Sequence, residues 1–167
     1  PIMIQKAKNR FLQLQLPIQT VESSLEAIPM KNQSTHYVLA ESVLSFVEIE
    51  PVLREMLRVL KPGGVLYAIE LTMQGTLSEI EQKQIGQFYG FQQMWNEDRW
   101  KDAMNKAGFA DVQIRTLPSF YDDHEPLTEF HPSEDVPDVL FDLLEQHERL
   151  LLQYRDAMSY RIVRAQK

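Results

Sequence analysis

Two carboxylates, Glu41 and Glu70, lie at or near the ends of apolar segments in this chain of 167 residues. If these segments are neighbouring parallel strands, both side chains lie at the carboxyl edge of the sheet, where open α/β sheets bind ligands. A pair of carboxylates there could orient a substrate amine or hydroxyl, or accept its proton. The alternative is two separate carboxylates at loop edges. We therefore treat Glu41 and Glu70 as candidate catalytic residues.

The four histidines of the chain do not predict a metal site. His36 lies at the start of a predicted strand. This end of the sheet is opposite to the carboxyl edge, where ligands bind. His147 lies on the apolar side of a predicted helix and is typical of a core or boundary histidine. His124 and His131 share an acidic loop that could bind a divalent cation, but without the fixed spacing of ligands on a helix. We predict no metal.

The composition excludes several classes of partner. The chain has 17 Lys and Arg against 24 Asp and Glu, a formal net charge of −7, which argues against tight binding to nucleic acid or to an anionic membrane. The chain has no cysteine, which excludes disulfides and thiolate metal sites. It shows no signal peptide and no apolar run of membrane-spanning length. We expect a cytoplasmic protein whose partner is a small molecule.

Helical and extended patterns alternate along the chain, which predicts an α/β fold. Thr76 and Glu79 form the pattern of a capping box, and Asn96 and Gly108 mark the start and the end of another helix. The predicted helices span residues 2–14, 48–60, 76–88, 96–107 and 137–155. The predicted strands span residues 18–23, 35–44, 64–72, 112–117 and 160–165.

The most informative stretch is the turn between the second helix and the third strand. Apolar residues at helical spacing end at Leu60, and Lys61 suits the C-terminus of that helix. Pro62 then stops the helix, and Gly63 and Gly64 turn the chain into an apolar run typical of a strand that is covered on both faces. Helix, turn and buried strand form half of a βαβ unit.

This stretch resembles the "RVLKPGG" turn of class I S-adenosylmethionine-dependent methyltransferases, where it follows the fourth strand and its helix. Three other stretches agree in the same order. Residues 26–30 resemble the segment after the family's third strand, residues 37–44 its fourth strand, and residues 100–114 the entry into its sixth strand. The chain is therefore identified by resemblance as a member of this family.

The resemblance implies a Rossmann-like α/β sheet and a single domain over residues 1–167. The family's strand order is 3-2-1-4-5-7-6 with strand seven antiparallel, and the predicted strands correspond to strands three to seven. It also implies methyl transfer from S-adenosylmethionine to a small molecule by the full-length protein. The residues implied to contact this cofactor are Ser23, Ser24, Leu25, Ala40, Glu41 and Ser42.

Two features depart from the family. No glycine-rich turn follows a strand, so the loop that cradles the methionine end of the cofactor is absent together with the first two strands. The family also commonly has an acidic residue where Ser24 stands, a place at which Glu22 or Glu26 would have to substitute. A non-catalytic binding or assembly module is therefore the alternative to an enzyme.

The missing strands would leave a gap between the predicted strands 18–23 and 35–44, where unpaired backbone groups are costly. We expect one of three solutions. The natural protein is longer and the chain is a fragment, which we favour; or the two predicted strands pair directly; or a second chain fills the space, as in a homodimer.

Two insertions over the strand ends, at residues 76–95 and 118–136, are where this family usually selects its substrate. Their aromatic rings could line an apolar pocket or stack on a sulfonium, or they could pack the insertions against the core. The residues predicted for the substrate pocket are Tyr89, Phe91, Trp95, Phe120 and Tyr121.

Overall fold

The computed structural model describes residues 2–116 and 136–167. In chain order the helices are α1 (Ile2–Gln13), α2 (Ile49–Val59), α3 (Glu79–Tyr89), α4 (Glu97–Ala107) and α5 (Asp138–Gln153), with a short 3-10 turn at Leu44–Phe46. The strands are β1 (Thr35–Glu41), β2 (Leu60–Met73), β3 (Ala110–Thr116) and β4 (Met158–Gln166).

The strands form one four-stranded sheet in the order β1-β2-β4-β3. β1 and β2 are parallel, with Ala40 opposite Ala68. β4 lies antiparallel to both β2 and β3, and places Val163 opposite Ala68. This is the order expected for the family's strands four, five, seven and six, with strand seven reversed. The prediction of a Rossmann-like α/β fold is confirmed.

One face of the sheet packs on α2 and α4 and forms the main core. Helix α2 is amphipathic, and its residues Val52, Leu53 and Met56 are buried. Trp100 and Met104 of α4 are buried in the same cluster. At helical spacing these residues form a single apolar stripe on each helix, and the sheet covers both stripes.

A second, smaller core lies at the carboxyl end of β2. Leu71 and Met158 of the sheet pack there with Ile85 of α3. Tyr154, the residue that follows α5, packs against them. The apolar residues of α5 share one side of the helix, a pattern typical of a buried face. Its first residues are instead exposed, since only the end of α5 reaches this core; the exposed apolar residues there are Val139, Leu140, Leu143 and Leu144.

The predicted turn at residues 61–64 follows α2, but it lies within the first residues of β2 and not before the strand. The helix ends at Val59, and Gly63 has a φ of 74°, which favours glycine. A Cβ atom on Gly64 would come within 3.0 Å of the carbonyl oxygen of His36 and 2.9 Å of that of Lys61. The two glycines are therefore required by the turn and by the close approach of β1.

The prediction of a strand at residues 18–23 is wrong. These residues have no regular secondary structure, and within residues 2–116 and 136–167 only β2 pairs with β1. A strand is stabilised by its partner's hydrogen bonds, so an apolar sequence alone does not form one. Direct pairing of this segment with β1 is therefore also wrong.

Residues 28–32 are held against α2 by an ion pair. Arg58 donates to Glu55 at 2.7 Å and also to the carbonyl oxygens of Ile28 and Met30. Glu55 in turn accepts from the backbone N–H of Ile28 at 2.8 Å. These contacts fix the chain that leads into β1.

Local capping interactions determine where α3 begins and where α4 begins and ends. The capping box of α3 consists of Ser78 and Glu81, two residues later than the predicted Thr76 and Glu79. Asn96 caps α4 and Gly108 ends it with a φ of 102°, both as predicted.

Candidate functional site

Three strands place their ends at one edge of the sheet. β1 and β2 run parallel, so Glu41 and the residues after Glu70 reach the same edge. Because β4 runs the opposite way, its first residues start at this edge, and Tyr160 pairs with Leu71 of β2. The sheet therefore brings Glu41, Ser42, Glu70 and Tyr160 into one region, where open α/β sheets bind ligands.

Glu70 is buried, with 1% of its surface exposed. Its Oε1 atom accepts from the backbone N–H groups of Val43 and Leu44 at 3.0 and 2.8 Å, and its Oε2 atom accepts from the Ser45 hydroxyl at 2.9 Å. These donors are at the start of the 3-10 turn that follows β1. The carboxylate therefore holds this turn in place.

Burial raises the pKa of the Glu70 carboxyl above its usual 4.5, although the hydrogen bonds from Leu44, Ser45 and Val43 oppose the shift. Desolvation penalises the charged form, and the donors stabilise it. Since both oxygens are already engaged by this turn, the geometry gives Glu70 a positioning role. Of the two predicted carboxylates, Glu41 is the exposed one.

Tyr160 is half-buried, beside Ser42 and within the electrostatic influence of Glu41 and Glu70. Burial raises the pKa of its hydroxyl, a hydrogen bond from Ser42 lowers it, and the negative charges of Glu70 and Glu41 raise it further. The Tyr160 hydroxyl therefore stays protonated at neutral pH and lies in a region of negative potential. Ser42 itself has a φ of 50°, which turns the chain away from the sheet at this point.

Aromatic rings cover the region beside Tyr160. Tyr89 and Phe91 stack at 4.8 Å between ring centroids, with 16° between their planes. Phe91 contacts the edge of Phe46 at 5.1 Å. Both Tyr89 and Phe91 pack in the smaller core together with Tyr160. Two of the predicted pocket residues, Tyr89 and Phe91, therefore lie together at the carboxyl edge.

The other predicted pocket residues lie elsewhere. Trp95 packs against Trp100 at 4.8 Å and belongs to the main core, and its carbonyl oxygen accepts from the backbone N–H of Met73. This favours the packing interpretation for Trp95. Phe120 and Tyr121 lie outside the described residues.

The residues implied to hold the cofactor fall into two groups. Ala40 is buried at the end of β1, with Glu41 and Ser42 exposed after it. Ser23 and Ser24 are exposed in the irregular segment before β1, where the Ser24 hydroxyl accepts from the backbone N–H of Glu26 at 3.2 Å. Leu25 packs on the main core that contains Ala40.

Three residues at this edge were missed as site residues by the sequence analysis: Phe46, His147 and Tyr160. Tyr160 could have been found, because an antiparallel last strand begins where the parallel strands end. His147 was interpreted as a core or boundary histidine, and it is half-buried as expected, but its ring nitrogen contacts Tyr89. No sequence signal links residues that are so far apart in the chain.

The described part of the chain, residues 2–116 and 136–167, contains no group of three or more His, Asp or Glu side chains placed to hold a metal ion. In the same residues no helix has both the length and the apolar character needed to cross a membrane.

The comparison with known proteins decides the family. A Bacillus subtilis (strain 168) protein, "Uncharacterized methyltransferase YodH", is 35% identical over all 167 residues, and the chain spans 72% of its length. The chain belongs to the methyltransferase family. Residues 1–68 also match the family described as "Methyltransferase domain". These residues include α1, β1, α2 and the start of β2.

Solved methyltransferase structures share the fold. A Galdieria sulphuraria protein assigned as a sarcosine dimethylglycine methyltransferase has a TM-score of 0.77 at 14% identity, and the match covers the whole of this chain and 66% of that one. Haemonchus contortus phosphoethanolamine N-methyltransferase 2, in complex with S-adenosyl-L-methionine, has a TM-score of 0.60 at 17% identity, covering 86% of this chain and 36% of that one. The prediction of S-adenosylmethionine as cofactor is confirmed for the family.

Proposed function

We propose that this methyltransferase chain takes part in methyl transfer from S-adenosylmethionine to a small-molecule amine at the carboxyl edge of the sheet. The observation that carries the proposal is the position of Tyr160, whose hydroxyl lies beside Ser42 and within the electrostatic influence of Glu41 and Glu70. A neutral hydroxyl within the influence of two carboxylates suits a cationic ligand.

The aromatic rings support the same class of ligand. Phe91 contacts both Tyr89 and Phe46, and Tyr89 and Phe91 share the smaller core with Tyr160. The faces of aromatic rings attract ammonium and sulfonium groups. Arg161, the cation next in sequence to Tyr160, is paired with Glu97 of α4. The net charge of −7 acts in the same direction. An anionic acceptor would meet repulsion here.

The residues at the end of β1 fit the methionine end of the cofactor. Glu41 is an exposed carboxylate and Ser42 an exposed hydroxyl, and both can face the positive end of such a molecule. Bound S-adenosylmethionine supplies an activated methyl group, so this chain's residues need to orient the acceptor and receive its proton. Ser23, Ser24 and Leu25 are proposed to lie beside the adenosine.

The first experiment measures cofactor binding by titration calorimetry of the full-length natural protein with S-adenosylmethionine and S-adenosylhomocysteine. We expect saturable binding, which E41Q weakens by roughly tenfold because it removes one charge from the site. Glu48 is the matched control, since it is an exposed carboxylate close in sequence, at the start of α2, whose side chain makes no capping bond. E48Q should bind as the wild type does.

The second experiment tests the acceptor with radiolabelled methyl groups. The probes are ethylamine and ethanolamine, each compared with an anionic acceptor of similar size, glycolate. We expect labelled product from the amines and none from glycolate. Transfer to glycolate at a comparable rate would contradict the amine assignment.

A non-catalytic binding or assembly module is the competing function, favoured by the absence of a glycine-rich turn after any strand of this sequence. It predicts no calorimetric signal with either cofactor ligand. Saturable binding of S-adenosylmethionine by this chain would reject it.

A further inference from the structure

A tyrosine and a histidine from two different helices are hydrogen-bonded beside the carboxyl edge. Tyr89 is the last residue of α3 and His147 lies in α5. The Tyr89 Oη atom is 2.9 Å from His147 Nδ1. The two rings meet edge to face at 5.6 Å with 88° between their planes. Both side chains are half-buried, so water competes little for the bond.

Packing connects this pair to the proposed acceptor site. Tyr89 stacks on Phe91, which contacts Phe46 in the turn that Glu70 holds. On its other side Tyr89 shares the smaller core with Tyr160. The Tyr89 ring therefore packs beside the proposed acceptor region, while its hydroxyl is hydrogen-bonded to the imidazole of His147.

Tyr89 cannot serve as a base by ionising. Burial, together with the neighbouring Tyr160, raises the pKa of its hydroxyl to about 12, so it carries its proton at neutral pH. A protonated hydroxyl can still accept a proton from one side if it gives its own proton to a partner on the other. The imidazole nitrogen at 2.9 Å is such a partner.

We propose that Tyr89 and His147 form the proton-accepting pair of the acceptor site, an inference that rests on the proposed function above. An ammonium acceptor gives one N–H proton to Tyr89 Oη, while the Tyr89 proton passes to His147 Nδ1. The acceptor nitrogen gains the lone pair that forms the new C–N bond as the C–S bond of the sulfonium breaks. His147 leaves the step as an imidazolium and returns its proton to water.

The titratable groups near the pair belong to three strands. Tyr160 of β4 lies next to Tyr89, and the carboxylates of Glu70 on β2 and Glu41 at the end of β1 act on Tyr160. Tyr89 is thus a catalytic residue that touches the acceptor, and His147 acts through it.

The decisive experiment uses long-range 1H–15N NMR of the full chain saturated with S-adenosylhomocysteine, with ethylammonium chloride as the probe. The His147 resonances are assigned by their loss in H147Q. We expect ethylammonium to move the His147 ring nitrogens toward the imidazolium in the wild type and to leave them unchanged in Y89F. Ring nitrogens that do not move in the wild type, or that move equally in Y89F, would overturn the proposal.

A kinetic arm separates this proposal from the proposed function. In Y89F and in H147Q we expect kcat/KM for ethylamine to fall at least about 100-fold, the usual range for loss of a proton acceptor, with S-adenosylmethionine affinity retained. Wild-type protein that binds no S-adenosylmethionine would refute the proposed function, whereas unchanged rates and pH profiles in both variants would refute the pair alone.

Matched controls distinguish the pair from packing. Y154F removes a tyrosine hydroxyl from the same smaller core, and H36Q removes an exposed imidazole at the opposite end of β1. Both should retain wild-type kcat/KM. If circular dichroism shows that Y89F unfolds, H147Q provides the same test. Ethylammonium is then added to H147Q and to the wild type, and the chemical shifts of the Tyr89 ring carbons are compared.

Discussion

The Oε1 atom of Glu70 accepts a hydrogen bond of 2.8 Å from the backbone N–H of Leu44. The two residues lie on neighbouring chain segments, since Glu70 is near the end of β2 and Leu44 opens the 3-10 turn after β1. A strand side chain thus caps the turn that carries Ser42 and Phe46 toward the proposed acceptor region. The shape of this edge depends on a buried carboxylate that contacts no other charged group in its hydrogen bonds.

Replacing Glu70 by alanine should strongly destabilise the fold. E70A leaves the N–H groups of Val43 and Leu44 and the hydroxyl of Ser45 without their acceptor, and each buried unsatisfied group costs about 1–3 kcal/mol. We expect the free energy of unfolding in urea to fall by about 3 kcal/mol. E48A, at an exposed carboxylate, should change it by less than about 0.5 kcal/mol. Equal effects of the two substitutions would contradict this role.

Glu70 should make stability decrease as pH rises. Its folded pKa is raised above the usual 4.5, so the folded state keeps this proton to a higher pH than the unfolded state does. The contribution of Glu70 is then fully present below pH 4.5 and is lost as pH rises through the folded pKa. The free energy of unfolding of the wild type minus that of E70Q, measured in urea from about pH 4 to pH 8, should therefore fall with pH. A rising difference would show that the hydrogen bonds outweigh burial.

Arg161 should be far more important to stability than its neighbour Arg164. Arg161 is 5% exposed and donates to Glu97 at 2.7 Å, with further contacts to Gln74 and Ser159. R161A leaves these partners without their hydrogen-bond donor at the junction of β2, β4 and α4. It should lower the free energy of unfolding by about 3 kcal/mol. The measurement is urea denaturation of the two single variants.

The matched control for Arg161 is the ion pair of Arg164 with Asp111. Their atoms are 2.6 Å apart, but the side chains are 27% and 53% exposed. Exposed pairs contribute little, because water and salt screen them. R164A should change stability much less than R161A, and its small effect should diminish further in high salt. A larger loss in R164A would mean that burial does not decide the strength of these pairs.

Two glycine-to-alanine substitutions should change stability in opposite directions. Gly108 ends α4 with a φ of 102°, and a Cβ atom there would lie 3.2 Å from Leu57 Cδ2. G108A should therefore destabilise by about 1–2 kcal/mol. Gly86 lies inside α3, where the nearest atom to a new Cβ is 3.9 Å away, so G86A should stabilise by up to about 1 kcal/mol. Thermal melts of both variants should show shifts of opposite sign.

Most element boundaries could be predicted because their causes are local. Asn96 and Gly108 delimit α4 through bonds within a few residues, and the Lys61 to Gly64 turn depends on the φ range of glycine and the rigidity of proline. Residues 18–23 have an apolar pattern but form no strand, since a strand also needs a partner. The hydrophobic pattern depends on the segment alone, whereas strand pairing depends on which other segments lie beside it.

The candidate site could be predicted only in part. The carboxyl edge and Glu41 follow from parallel strands, and Tyr89 and Phe91 from their insertion. Three features could not be predicted from the sequence: the use of Glu70 as a cap, the packing of Trp95 in the core and the contact of His147 with Tyr89. Each of these depends on which of several reachable partners a side chain meets, a choice made by the packing of whole elements.

Hydrophobic periodicity and turn chemistry act over short stretches, so the sequence by itself predicted most of the helices and strands, and its resemblance to methyltransferases implied the fold, the order of the sheet and the edge proposed to bind ligands. Only the tertiary structure decided what the polar groups at that edge do. Glu70 and Leu44 are 26 residues apart and Tyr89 and His147 are 58 apart. Hydrogen bonds between such residues require the elements to be packed together, and burial raises the pKa of Glu70 and of Tyr89.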